Sequence, residues 1–358
     1  MSGTVVAIGN FDGVHRGHQA ILRTARDLAR SGPVVAVTFW PHPLSVLAPE
    51  RAPDLLAELP ERIRLLRRSG ADQVRVVQFT RQLSAWSPAQ FVSAVLAPLA
   101  PEAVVVGENF RFGYGAQADG HDLADLGGGE FDVVVLPMLS DAEPLSSSEV
   151  RRALAEGDPA RAGRILGRWF RYGGIVVQGD QRGRQLGFPT ANLTVPQGRA
   201  CPADGVYAGW LVVSAQDWRG RNISVAPDPS TTGLTGAHVG EGIPAAAAPD
   251  AAVAAHHSAA AAPPVAVIGE NYQEEWRWPA ALSVGSNPTF DGLERRVEAH
   301  AIDRADLDLY GVKVGVDFVE RLRPTVRFGG LEALVAQLTR DVAATRHIMA
   351  GVSDDPLG

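Results

Sequence analysis

Lysine is almost absent: of the 33 basic residues in this 358-residue chain only Lys313 is a lysine, the others being arginine. That excludes a GxxxxGK[ST] phosphate loop, which needs a lysine beside its last glycine, and makes Schiff-base chemistry a poor candidate. Cysteine is just as scarce. With Cys201 alone, neither an internal disulfide nor a thiolate-rich zinc site can form, which fits a reducing compartment. No apolar run approaches the about 18 to 20 residues of a membrane span, and no basic segment followed by a long apolar stretch opens the chain. The expectation is a cytoplasmic protein with no membrane partner. Positive charge is also in deficit: the formal net charge of −7 argues against DNA and RNA as partners, although local arginine clusters can still hold a nucleotide.

Apolar residues are plentiful. At 46% hydrophobic content the chain can bury a large core, and its length suits two domains better than one. Over the first 155 or so residues, short apolar runs alternate with amphipathic ones. TVVAIG (from Thr4), VVAVTF (from Val34), VRVVQF (from Val74), AVVVG (from Ala103) and FDVVVLP (from Phe131) read as buried strands. Between them Ile21, Leu22, Ala25, Leu28 and Ala29 make one apolar helix face, and Ile63, Leu65 and Leu66, then Phe91 and Val95, suggest further helices. This βαβ alternation predicts a doubly wound parallel sheet of Rossmann-like α/β class, with ligands at the carboxyl ends of its strands.

The second half is β-rich. GGIVVQG, GVYAGWLVV, AALSVG, VEAHAI and VKVGVDFV, separated by turn residues, predict an antiparallel sheet or barrel, and Leu331, Leu334, Val335 and Leu338 predict a closing helix. The expected division is a first domain over 1–157, a connector at 158–168 and a second domain over 169–348. Between about 216 and 275 alanine repeats and prolines leave too little apolar surface to offset ordering entropy, so a disordered insertion is expected. His256 and His257 within it have no acidic or cysteine neighbours and read as a solvated pair.

GNFDGVHRGH, Gly9 to His18, joins the first strand to the first helix. His15 and His18, three apart at a helix N-terminus, sit where backbone amides and the helix dipole favour phosphate. A metal pair lacks a third ligand, and two purely structural histidines are an uneconomical use of a glycine-rich loop; one structural and one functional histidine also stays open. Phosphate handling is the reading this loop favours.

The loop resembles the HxGH signature of nucleotidyltransferases, in the form found in bacterial bifunctional riboflavin kinase/FAD synthetases. Its companions occur in order: FWPHP after the second strand, VGENFRFGYG after the fourth and LSSSEVR after the fifth. The resemblance implies that His15, His18 and Arg151 act in adenylyl transfer. Gly9, Phe11, Asp12, Gly17, Ser147 and Ser148 would bind ATP or phosphate, and His42 and Asn109 flavin. A plain N-cap is the competing role for Ser147, and core packing that for Phe110 and Phe112.

The second half carries GDQRGRQLGFPTANL, Gly179 to Leu193, which resembles the riboflavin kinase signature. Thr190 and Asn192, two apart in an extended segment, share a face and offer the oxygen ligands Mg²⁺ prefers. By the resemblance Thr190 and Asn192 bind magnesium, Gly183 and Arg184 bind ATP, and Arg321 and Arg323 of RLRPTVRF bind flavin. Glu298 of VEAHAID is then the general base toward the ribityl 5′-hydroxyl. The implied protein converts riboflavin to FMN and FMN to FAD, with ATP as substrate in both steps and Mg²⁺ as cofactor; its oligomeric state stays open, a homo-oligomer included. Two rivals are a different HxGH nucleotidyltransferase, which leaves the PTAN segment and Glu298 unexplained, and a non-enzymatic flavin sensor, which has no use for an intact catalytic set.

Overall fold

The computed structural model describes residues 3–141, 143–179, 186–214, 265–267, 275–289, 292–304 and 307–352. Gly183 and Arg184 and most of the predicted insertion lie outside them.

Five parallel strands, β1 (Thr4–Ile8), β2 (Val34–Trp40), β3 (Gln73–Gln78), β4 (Pro101–Gly107) and β5 (Asp132–Leu136), stand in the order β5-β4-β1-β2-β3, the doubly wound arrangement expected. The helices of this half are α1 (Arg16–Ala29), α2 (Pro43–Leu47), α3 (Leu59–Arg68), α4 (Arg81–Ser84), α5 (Pro88–Phe91) and α6 (Gly120–Gly127). Val5 and Ala7 pack with Ile21, Leu22 and Leu66 on one face of the sheet, while Val6 and Ile8 pack with Phe91, Phe110 and Phe112 on the other. Alternating residues of one strand thus feed two cores, which is why the strands read as unbroken apolar runs. Leu28 departs from the predicted helix face: it is 42% exposed, at the flank of the stripe that Ile21, Leu22, Ala25 and Ala29 bury.

Helix α7 (Ser147–Glu156) follows the sheet and α8 (Pro159–Leu166) falls in the span expected as a connector, each ended by a left-handed glycine, Gly157 and Gly167. A closed barrel follows. Strands β6 (Phe170–Val177), β7 (Ala191–Thr194), β8 (Gly205–Ser214), β10 (Glu275–Thr289), β11 (Gly292–Ala301) and β12 (Lys313–Arg323) close in the order β10-β11-β7-β6-β12-β8, with every pair antiparallel. Leu193, Leu211, Leu282, Val297 and Phe318 fill its interior.

Two details differ from expectation. Within the predicted disordered span, Val265–Val267 forms strand β9, antiparallel to β3 at the edge of the first sheet, and Glu275 already belongs to β10. Glu275 pairs with Ser214 of β8, so the insertion replaces the turn of a barrel hairpin. The closing helix α9 (Leu331–Met349) leaves Leu331 60% exposed and buries Asp341, Thr345 and Met349 instead. Asp341 is buried because Arg323 grips both its oxygens, Nε to Oδ1 at 3.0 Å and Nη2 to Oδ2 at 2.6 Å.

Candidate functional site

The GNFDGVHRGH loop leaves β1 in an unusual conformation. Phe11, Gly13 and Val14 all have positive φ, at 50°, 76° and 41°. Left-handed backbone at non-glycine residues costs of order 1–3 kcal/mol each and persists only where surroundings hold it. A Cβ on Gly13 would lie 2.8 Å from Leu56 Cδ1, so glycine is required there twice over.

What holds the loop is a set of side chains outside it. Thr38 Oγ1 and Arg62 Nη1 both donate to Asn10 O at 3.0 Å, Ser147 Oγ to Asp12 O at 2.8 Å, Arg168 Nη2 to Gly13 O at 2.6 Å and Gln19 Nε2 to Val14 O at 3.0 Å. The Asp12 carboxylate accepts from the backbone N–H groups of Leu56 and Ala57, each at 3.1 Å, and from Arg62 and Arg151. Arg62 is fully buried and also donates to Phe39 O at 3.2 Å. Burial pushes its guanidinium below the ordinary arginine range, and the Asp12 charge opposes this. Sequence reasoning missed Arg62 and Arg168. The available signal was an arginine at a core-facing position beside Ile63, Leu65 and Leu66.

On this frame His15 and His18 stack, ring centroids 3.7 Å apart at 27°, with Phe11 edge-on to His18 at 5.1 Å. Gly17 permits the stack, since a Cβ there would lie 3.0 Å from the His15 ring; Gly9 lies against the Phe11 ring in the same way, 3.2 Å from a Cβ position. Burial, then the nearby Arg168 charge, lowers the His15 pKa to about 4, with Arg151 adding to the effect. Burial and the neighbouring His15 and Arg62 push His18 well below its usual value. Both rings are therefore neutral near pH 7, in a setting made electropositive by arginine. His15 Nδ1, His18 Nδ1 and Asn10 Oδ1 are buried with no hydrogen-bond partner among the described residues, the pattern of a loop built to meet a polar ligand.

The other predicted residues of this half divide. Ser146, not Ser147, caps α7, so the N-cap role weighed for Ser147 falls away and its hydroxyl serves the loop. Ser148 is exposed in the first turn of α7. Arg151 donates to Asp12 and, through Nε, to Asp54 O at 2.6 Å. His42 caps α2, its Nδ1 accepting from Leu44 N at 3.2 Å, and Asn109 is exposed just past β4. Phe110 and Phe112 stack on each other at 5.4 Å inside the core.

In the barrel, strand register sets the second group. Asn192 of β7 stands opposite Glu298 of β11, which stands opposite Ser283 of β10. Leu193 and Val297 point inward, so this row lies on the outer face. Asn192 is 6% exposed, and its Nδ2 donates to Thr190 O at 3.3 Å and Oγ1 at 3.4 Å. Asn192 and Thr190, each with a neutral side-chain oxygen, line a cavity of about 330 Å³ together with Gly179, Asp308 and Tyr310. Gly179 lies against Asn192: a Cβ there would fall 2.5 Å from Asn192 Nδ2, so a larger residue would displace that side chain. Two neutral oxygens fit a magnesium ion that takes its remaining ligands from phosphates and water; among the described residues no cluster of three His, Cys, Asp or Glu could bind a metal by itself.

Arg321 and Arg323 are engaged by the protein. Arg321 Nη2 donates to Asp204 O at 2.8 Å and its guanidinium lies over the Tyr207 ring, while Arg323 is held by Asp341. Burial drives the Cys201 thiol up to about 12, which leaves it unreactive at neutral pH.

Comparison with known proteins agrees with this two-part layout. Residues 1–149 match the family model for FAD synthetase and residues 166–349 that for riboflavin kinase. A bifunctional riboflavin kinase/FMN adenylyltransferase of Escherichia coli K12 is 32% identical over 351 residues, 96% of this chain and 92% of that one. Proteins of the same name from Listeria monocytogenes and Bacillus subtilis are 31% and 30% identical, covering 98% and 94% of this chain and 94% and 90% of their own lengths. A crystal structure described as a macrolide-efflux protein from Streptococcus pneumoniae superposes with a TM-score of 0.73 at 28% identity, over 96% of this chain and 94% of that one.

Proposed function

The chain belongs to the bifunctional riboflavin kinase/FMN adenylyltransferases, and from that premise we propose how its residues divide the work. It is a transferase that phosphorylates riboflavin to FMN and then adenylylates FMN to FAD, using ATP in both steps. Residues 1–157 form the adenylyltransferase module, 158–168 the connector and 169–348 the kinase module, in a cytoplasmic enzyme. Among the described residues no helix is long and apolar enough to cross a membrane.

Adenylyl transfer needs no covalent protein intermediate. An FMN phosphate oxygen attacks the α-phosphorus of ATP in line and pyrophosphate leaves, so the protein must position the reactants and stabilise developing charge. His15 and His18, neutral and stacked, each present one N–H donor to phosphate oxygens. The guanidiniums of Arg168, Arg151 and Arg62 supply the positive field that a lysine provides in other phosphate loops. Asp12 is the anchor that holds Arg62 and Arg151 to the loop, and Ser147 fixes its carbonyl.

In the barrel Glu298 takes the proton from the ribityl 5′-hydroxyl as that oxygen attacks the γ-phosphorus of ATP, a proton transfer that contributes alongside alignment. Thr190 and Asn192 would hold Mg²⁺, which would supply charge neutralisation to the phosphoryl oxygens. The observation that supports this assignment is the strand register, in which Asn192 of β7 stands opposite Glu298 of β11.

The test separates flavins after incubating the protein with riboflavin, ATP and Mg²⁺. FMN and then FAD should accumulate. Glu298→Gln should cut FMN formation by roughly 10²–10⁴ while FAD still forms from supplied FMN, and His15→Ala/His18→Ala should do the reverse. Loss of both activities from either change in folded protein refutes the division.

A further inference from the structure

A cavity of about 1080 Å³ opens between the two halves, apart from both sites described above. One wall is α3 with the segment Leu56 to Glu58; the other is formed by β6, β8, β10 and β12. It is lined by eight cationic side chains and only four carboxylates, in a protein whose net charge is −7. Each carboxylate already has its cation: Glu58 pairs with Arg199, Glu61 with Arg64, Asp72 with Arg26 and Glu275 with Arg171. Asp317 lies against Arg171 at 2.6 Å from outside the lining. Among the described residues, Arg68 and Lys313 of the lining stand outside these pairs. Burial alone would raise the Glu275 carboxyl, yet the hydrogen bond and charge of Arg171 hold it at about 2, so protonation does not alter this balance near neutrality.

A concentrated excess of one sign in a partly enclosed cleft focuses field on a counter-ion. Arg68 of α3 and Lys313 of β12, both exposed, reach the cavity from opposite halves, while Arg171 is fixed in its wall. Cations on both walls match an extended polyanion better than a single phosphate, and arginine forks suit phosphate oxygens. The volume is at the top of the about 300–1,000 Å³ usual for small-molecule sites, enough for a nucleoside beyond the charged part. We propose that this interdomain cleft binds a pyrophosphate group, with Arg68 and Lys313 closing on it from the two halves. The products of the two reactions offer three sources of that group: free pyrophosphate, ADP and FAD. Leu56 and Ala57 line the cleft while their N–H groups hold Asp12, so a ligand here bears directly on the anchor of the histidine loop.

The test is calorimetric titration of the full-length protein with inorganic pyrophosphate at low salt in EDTA, which removes magnesium-dependent binding in the barrel. Binding should persist in His15→Ala/His18→Ala and weaken at least about tenfold in Arg68→Ala/Lys313→Ala, with a steep dependence on added salt. The Arg68→Ala/Lys313→Ala enzyme should still produce FMN and FAD at wild-type initial rates. Titrations with ADP and FAD assign the source: loss with all three marks the shared group, and loss with pyrophosphate alone marks the free ion. The proposal is overturned if the wild type binds no pyrophosphate, if Arg68→Ala/Lys313→Ala binds it as the wild type does, or if the histidine variant loses it entirely. The last result leaves the adenylyltransferase assignment standing, so the two ideas fail separately.

Discussion

His15 makes the ligand-free protein sensitive to acid in a way that can be worked through. Burial and Arg168 set its folded pKa at about 4, against an ordinary value of 6.5. Between those values the unfolded chain carries a proton on this ring and the folded chain does not. The unfolded state therefore binds more protons, so stability rises with pH across the window and is lost as pH falls from 6.5 toward 4. At pH 5 the loss relative to pH 7 is about 2 kcal/mol from His15 alone, and His18, shifted in the same direction, adds to it. The perturbation is His15→Gln, which keeps a polar side chain and removes the titration. Two assays apply: the His15 ring resonance in ¹³C-histidine-labelled protein, assigned through the variant, and urea melts of both proteins at pH 7 and pH 5. The resonance should titrate near pH 4, and the variant should lose about 2 kcal/mol less than the wild type between the two pH values. Saturating pyrophosphate should move the midpoint upward, because bound anion favours the imidazolium. A ligand-free midpoint at 6 or above, or identical losses in the two proteins, refutes the burial argument.

Two further changes probe the frame. Arg62→Met leaves Asp12 without its buried partner and Asn10 O and Phe39 O each short of a donor. It should destabilise the first half by about 3–5 kcal/mol, seen as a lowered first transition in thermal melts, and should cost FAD formation more than FMN formation. Asp341→Asn keeps the shape at Arg323 but removes the charge, and should cost about 1–3 kcal/mol. Hydrogen exchange would show this as lost protection in α9, with the parallel sheet unchanged.

Strand positions were readable because β1, β4 and β5 carry apolar residues on both faces in unbroken runs, while β2 and β3 are interrupted only by Thr38 and Arg75. Helix faces were less so. Periodicity places Leu28 and Leu331 on apolar stripes but cannot say how wide a stripe the neighbours cover, and each falls at an uncovered flank. Strand β7 is four residues long with polar Asn192 in its middle, so only the adjoining signature marked it. The histidine pair was legible because its partners are three residues apart. Arg62 and Arg168 were not, because their acceptors lie 52 and 155 residues away and an arginine in sequence reads as a solvated charge.

The near absence of lysine then has a structural reading. Arg62 reaches Asn10 O, Phe39 O and the Asp12 carboxylate at once, a span that a planar fork of donors covers and a compact ammonium does not. Arg168, three residues before Arg171 of the barrel, donates to Gly13 O and Val14 O in the loop of the other half. Burial lowers its guanidinium to about 10, still charged at neutral pH, so the contact keeps its strength where a buried lysine would be prone to lose its proton. Leu55 pairs through its backbone with Gly198 and Ala200, and Glu58 with Arg199, which presses the segment holding Asp12 against the barrel. The boundary proposed near residue 157 therefore does not coincide with the mechanical one. The histidine loop takes two of its restraints from beyond that boundary, Arg168 directly and the barrel through Leu55 to Glu58, so the geometry of the proposed adenylyltransferase site is a property of the whole chain.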